Sequence, residues 1–370
     1  MLCPGLYWDF PGSAIAPMLS RTLDLPGATL ESVARCEHKY WSRLEQQAVV
    51  PEMVCGFQPI DPFSGDPVAD VEIDYPFWIK PIKAHSSFLG FFIDGPETLV
   101  GTLSTIREQI GAIARPFNEF LAHVEKPDYV AAVDGYHCIA EEIISDGFQC
   151  TLEGYAWRGE VQIYGVVDSV RGGKLHSSFT RYQYPSRLPT GVQERMIEAS
   201  KRVIKHISYD WAAFNIEFYW NPKSDQITLL EINSRISKSH SPLFLMVDGA
   251  TNQKVPLDLV LGRKPCFPHR LGGHKLAAKF MLRWFHDGIL ERVPTEDDLS
   301  MVNRIYPEVR MQVLAPQGKR LGELSLQDSY SYEVAEIFLG ANSQGELLEK
   351  YRHICAILDF RVRALGTEVI

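Results

Sequence analysis

Glu217, Glu231 and Asn233 lie in the stretch AAFNIEFYWNPKSDQITLLEINSRIS, residues 212–237, where two apolar runs flank Asn221-Pro222-Lys223-Ser224-Asp225. That flank is rich in turn formers, so the segment reads as an antiparallel hairpin. Centring the turn on Ser224 puts Phe214, Ile216, Phe218 and Trp220 on one face, opposite Ile232, Leu230 and Thr228. On the other face Asn215 meets Asn233 and Glu217 meets Glu231. A one-residue slip would bury the carboxylates and expose the apolar set, which favours this register. Like charges directly opposed destabilise a strand pair. A divalent cation is the candidate that would compensate them: two carboxylates and an amide oxygen are hard ligands, suited to Mg2+ that shares its sphere with phosphates. Arg235 follows on the same face, where a guanidinium can meet a phosphate or an acyl phosphate. The alternative is an ordinary hairpin with a solvated polar face.

The elements that must carry this hairpin follow from apolar spacing. Residues 1–30 are rich in Pro and Gly, with a short helical pattern at 14–23. Leu30, Val33, Ala34, Tyr40, Leu44 and Ala48 predict one helix over 30–48. Residues 49–75 carry Pro51, Pro59, Pro62, Gly65 and Pro67 and read as an irregular connection. Short strands then alternate with helices: YPFWIKPI, FLGFFI, a helix over 96–111 opened by Pro96 and Glu97, and strands at 137–144, 149–157 and 160–170. An amphipathic helix is predicted over 190–208, and a last one over 343–359, opened by Ser343 and Glu346 at capping-box spacing. Antiparallel hairpins mixed with helices indicate α+β layers.

Composition narrows the class. The 370 residues are 45% hydrophobic and 22% charged, values of an ordinary globular protein, and the length suits two or three domains. A net charge of −9 without a basic block argues against a nucleic-acid partner. No apolar run is long enough for a membrane span, and the start lacks the basic region of a signal peptide. Seven cysteines without a CxxC pair read as reduced thiols of a cytoplasmic protein. No P-loop, HExxH or GxSxG sequence is present.

Taken in order, these residues resemble the ATP-grasp superfamily, whose signature is an acidic strand followed by Glu-Ile-Asn-x-Arg. Here that is Glu217, then Glu231-Ile232-Asn233-Ser234-Arg235. The resemblance implies that Glu217, Glu231 and Asn233 bind metal and that Arg235 steadies the transferring phosphoryl group or the acyl phosphate. Cys36-Glu37-His38-Lys39 is similar to the family's first nucleotide lysine, with His38 separating acid from lysine. Phe77-Trp78-Ile79-Lys80-Pro81 is similar to the strand of the second lysine. A lysine inside an apolar strand needs a partner, either a nucleotide phosphate or a nearby carboxylate. Residues 83–90 occupy the place of the phosphate-covering loop, where Ser86, Ser87 and backbone N–H groups would cradle oxygens. Residues 140–149 resemble the adenine hinge: Glu141 and the backbone of Glu142, Ile143 and Ile144 would face the adenine edge, with Gln149 at the ribose hydroxyls. Lys238 and His240 would lie near the acceptor.

The implied architecture is an α+β ATP-grasp fold of two lobes holding ATP, with a shortened Rossmann-like N-terminal part and a C-terminal α/β lobe. Its boundaries fall at 1–74, 75–145, 146–255 and 256–370. The implied activity is ATP-dependent ligation: a carboxylate is activated as an acyl phosphate and taken by an amine or a thiol, releasing ADP and phosphate. Arg235 and Lys80 would be catalytic, ATP and Mg2+ the cofactors, with Mn2+ as a substitute. Two alternatives remain open at this point, a biotin-carboxylase-like phosphorylation of bicarbonate and an ATP-binding module without turnover. Only 38 residues precede Lys39, so the resemblance implies a homodimer or a second chain that supplies the missing N-terminal domain.

Overall fold

The apolar spacing of residues 30–48 gives two helices instead of one. After α1 (Gly12–Thr22) come α2 (Leu30–Glu37) and α3 (Lys39–Val49). His38 adopts an extended backbone between them, and its Nδ1 accepts from the Trp41 amide at 3.1 Å. The residue thus ends one helix and caps the next. The computed structural model describes residues 9–84, 88–144, 147–325 and 327–368, in two compact units. The first comprises residues 1–164, 188–237 and 255–266, and the second residues 165–187, 238–254 and 267–370.

The predicted irregular connection contains a strand, β1 (Phe57–Ile60), followed by β2 (Phe77–Pro81), β3 (Phe91–Ile93), α4 (Pro96–Gln109), α5 (Gly111–Leu121), α6 (Asp128–Ala131) and β4 (Cys138–Glu142). These strands form an antiparallel sheet in the order β1-β4-β2-β3. Pro59 is tolerated inside β1 because β1 is an edge, where a missing N–H leaves no ladder bond unmade. Ile60, Phe77, Ile79 and Ile93 pack against Leu99, Leu103 and Ile106, whose spacing lines one face of α4.

Next come β5 (Phe148–Trp157), β6 (Glu160–Gly172), β7 (Ser178–Tyr184), α7 (Thr190–His206), β8 (Ala212–Asn221) and β9 (Gln226–Asn233). In the first unit β5 pairs antiparallel with β8, and β8 with β9, which ends the strand order. Gly147 enters β5 at φ 141°, and a Cβ there would lie 2.3 Å from the Trp220 carbonyl oxygen. Only glycine fits so close to the end of β8.

The chain continues through α8 (Ser241–Asp248), α9 (Lys254–Val260), β10 (Leu276–Trp284), β11 (His286–Arg292), α10 (Glu296–Ile305), β12 (Arg310–Val313), β13 (Tyr332–Ala341), α11 (Gln344–Leu358) and β14 (Arg361–Glu368). In the second unit the order β12-β13-β10-β7-β6 is again antiparallel. Its core joins Phe280, Ile337 and Leu339 to Leu347, Ile354 and Leu358 of α11. Ser343 caps α11 by accepting from the Glu346 amide at 3.2 Å, while the Glu346 carboxylate turns to the amide of Asn342 at 2.9 Å. Among the described residues no helix is long and apolar enough to cross a membrane.

Candidate functional site

The hairpin forms as its alternation requires up to one point. Asn215 pairs with Asn233, Ile216 with Ile232 and Glu217 with Glu231. Beyond Glu217 the register shifts: Phe218 pairs with Leu229, Tyr219 with Thr228 and Trp220 with Ile227. Leu230 is therefore the extra residue of a β-bulge. The predicted partners Leu230 and Thr228 of the apolar face are replaced by Leu229 and Ile227. Two adjacent leucines give no periodic sign of which one is skipped.

The opposed carboxylates are compensated within the chain. Lys39, at the start of α3, places its Nζ 2.8 Å from Glu231 Oε1, and the amide of Gln149 donates to Glu217 Oε2 at 2.6 Å. Asn233 turns its Nδ2 toward Asn215 Oδ1 (3.0 Å) and Glu217 Oε1 (3.5 Å). Two carboxylates and an amide on one face fit Mg2+, provided that the Asn233 amide turns over to present its oxygen. Burial alone would raise the Glu231 carboxyl, but Lys39 and Lys80 outweigh it and hold the group below the usual range. Burial lowers the Lys39 ammonium, and Glu231 opposes that shift.

The other charges are paired in the same way. Lys80 lies 2.6 Å from Glu141 Oε2, while Arg43 Nε donates to Glu141 Oε1 at 2.6 Å. Burial pushes Glu141 up, but Arg43 and Lys80 bring it down to about 2. Lys83, wholly buried, pairs with Glu37, whose other oxygen accepts from Ser234 Oγ at 2.6 Å. Arg235 binds Asp9 through Nη2 (2.5 Å) and Nε (3.1 Å), and its Nη2 also lies 3.4 Å from Asn233 Oδ1. Burial would lower the Arg235 guanidinium and raise the Asp9 carboxyl; their mutual attraction reverses both.

The structure thus brings Lys39, Lys80, Glu141, Gln149, Glu217, Glu231, Asn233 and Arg235 into one unit. Glu142 ends β4, with Oε2 accepting from the Gly56 amide at 2.7 Å, and Ile143 and Ile144 follow it outside the strand. Ser86 and Ser87 lie outside the described residues. Lys238 and His240 belong to the second unit, where His240 is buried edge-on against Tyr182 (5.0 Å between centroids). Asp9 and Arg43 escaped the sequence reading, since a charged residue far from any motif reads as a surface residue, and Lys83 entered it only as the first residue of the phosphate-covering loop.

His38, beside Lys39, carries a pH prediction. Its Nε2 donates to the Val133 carbonyl at 2.7 Å while Nδ1 accepts from Trp41, so the neutral ring is the one held. Burial pushes its pKa from 6.5 down to about 4. The unfolded chain therefore takes up the proton first as the solution is acidified. The contribution is fully present above pH 6.5 and lost as pH falls toward 4, by about 3 kcal/mol at most. Urea unfolding at stepped pH should show a steeper loss in this window for the parent than for His38→Gln. Equal slopes would contradict the assignment.

Comparison with known proteins adds to this geometry. Residues 184–259, which contain the hairpin, match the sequence model of the carbamoyl-phosphate synthase L chain, ATP binding domain. Over 252 residues the chain is 23% identical to the carbamoyl phosphate synthase large chain, C-terminal section, of Methanopyrus kandleri. That match takes in 67% of this chain and only 41% of the relative's own length. Among solved structures, L-amino acid ligase from Bacillus licheniformis superposes with a TM-score of 0.70 at 16% identity, covering 95% of this chain and 79% of that one. The biotin carboxylase–beta-gamma-ATP complex from Campylobacter jejuni gives 0.61 at 14% identity, covering 94% and 73%. The chain thus has the ATP-grasp fold that these neighbours share.

Proposed function

We propose that the chain is an ATP-dependent ligase that activates a carboxylate as an acyl phosphate and passes it to an amine or a thiol. The observation that carries this reading is the shared face of β8 and β9, where Glu217 and Asn233 lie beside Glu231, which holds the ammonium of Lys39, and Arg235 follows. Mg2+, or Mn2+ in its place, would be held by Glu217, Glu231 and Asn233 and would supply positive charge against the phosphates. Lys39 exchanges its carboxylate partner for phosphate oxygens, while Lys80 stays on Glu141 and turns its remaining N–H groups to them. The backbone of Glu142, Ile143 and Ile144, with Glu141 beside it, meets the adenine edge, Gln149 the ribose, and Ser86 and Ser87 the phosphates. A carboxylate oxygen of the substrate attacks the γ-phosphorus, the bond to the bridging oxygen breaks, and ADP departs. The nucleophile then adds to the acyl carbon and loses its proton as phosphate leaves. Arg235 faces the charge that develops on the acyl phosphate. Catalysis is positioning and charge stabilisation, so no protein nucleophile is required.

The lobes at 75–145 and 146–255 and a cytoplasmic setting belong to the same reading. The test is phosphate release from Mg2+ and ATP over a panel of amino-acid pairs. Equal ADP and phosphate, dependent on both partners, supports it. ATP binding without release over the whole panel makes the chain a non-catalytic module. Release that depends on bicarbonate and on no amine makes it a bicarbonate-phosphorylating enzyme.

A further inference from the structure

We propose that Arg43 is the positioning residue that sets the two metal carboxylates on one face and couples them to the second nucleotide lysine. This rests on the roles of Glu217, Glu231 and Lys80 proposed above. The Arg43 side chain, from the middle of α3, is only 1% exposed. Its Nη1 donates to the Leu229 carbonyl (2.6 Å) and to Gln46 Oε1 (2.6 Å), its Nη2 to the Leu230 carbonyl (2.8 Å), and its Nε to Glu141 Oε1 (2.6 Å). Leu229 and Leu230 are the two residues at the bulge. β9 ends the strand order, so a carbonyl turned outward there has no neighbouring strand, and a buried one needs a donor.

The bulge decides where Glu231 points. If the pairing of Phe218 with Leu229 ran on without it, Glu217 would face Leu230, and Glu231 would face Ile216 on the apolar side. The extra residue restores Glu231 to the face of Glu217. The guanidinium that holds the Leu229 and Leu230 carbonyls therefore fixes the geometry on which a shared ion depends. A lysine cannot replace it, because one ammonium cannot span two carbonyls and a carboxylate as a planar fork does.

The bond to Glu141 does a second job. Lys80 and Arg43 take opposite oxygens of that carboxylate. One negative charge set between two cations orients Lys80 and leaves a net positive charge facing the phosphates. A Lys80–Glu141 pair by itself would be neutral.

The test titrates Mg2+ against ATP binding to the full chain, measured by calorimetry, with metal-free ATP binding measured alongside. Arg43→Lys keeps the charge and loses the fork. It should raise the Mg2+ concentration for half-saturation by about tenfold or more and leave metal-free ATP binding little changed. Arg43→Gln loses the charge as well and should weaken metal-free ATP binding too. A folded Arg43→Lys with unaltered Mg2+ dependence overturns the proposal. So does a variant in which both affinities and the thermal midpoint fall together, which is mere loosening. Should Arg43→Lys fail to fold, Gln46→Leu removes one acceptor of the guanidinium and should shift the Mg2+ midpoint the same way by about fivefold; no shift there overturns it. A parent that binds no Mg·ATP refutes the ligase reading itself, whereas a parent that binds it beside an indifferent Arg43→Lys refutes only the role of Arg43.

Discussion

Glu231→Gln is expected to lower Mg2+-dependent ATP turnover by about 10²–10³-fold, in the range found when one charge-stabilising group is removed from an active site. The replacement keeps the shape of the side chain and a hydrogen-bond acceptor for Lys39, whose Nζ lies 2.8 Å from Glu231 Oε1. The fold should therefore survive, and circular dichroism and the urea midpoint check this directly. Metal-free ATP binding should tighten at the same time. In the parent the ammonium of Lys39 is held by a full negative charge, and a phosphate must displace that charge. An amide is a weaker competitor. Turnover lost together with metal-free binding would mean that Glu231 serves the fold, and turnover with the parent's Mg2+ midpoint would remove Glu231 from the metal site.

Lys80→Met is the second large effect. Losing a charge-assisted hydrogen bond to a phosphate should weaken ATP binding by about 10–100-fold. Its cost in stability is expected to be small. Breaking a buried ion pair usually costs about 3–5 kcal/mol because a charge is stranded, yet Glu141 keeps the guanidinium of Arg43 at 2.6 Å. Calorimetric titration of ATP beside a urea curve separates the two. Affinity unchanged and stability reduced would leave Lys80 as the partner of Glu141 alone.

The face that bears Glu217, Glu231 and Asn233 was legible because strand alternation has a period of two, although the pairing beside the turn is one residue off the Ser224 centre and the bulge at Leu230 restores it. Lys39 and Lys80 were legible through the likeness of their surroundings to known motifs. What escaped has physical causes. The bulge at Leu230 leaves no trace in a run of apolar residues. The break at His38 interrupts no apolar period, because the histidine is itself buried and bonded. β1 carries a proline that argues against a strand until its edge position is known. The guanidinium of Arg43 finds partners 98, 186 and 187 residues away, and no local pattern encodes such distances.

The internal pairing of lysines with carboxylates has a thermodynamic consequence for ligand entry. An ion that takes Glu231 releases Lys39 to a phosphate, and a phosphate that takes Lys39 releases Glu231 to an ion. Each ligand removes the other's competitor, so the two affinities are linked, and linkage of this kind is reciprocal. Bare phosphate compounds and bare divalent ions each face an exchange that leaves a charge unpartnered. On the proposed reading, the site would select its metal and its nucleotide as a single cooperative guest.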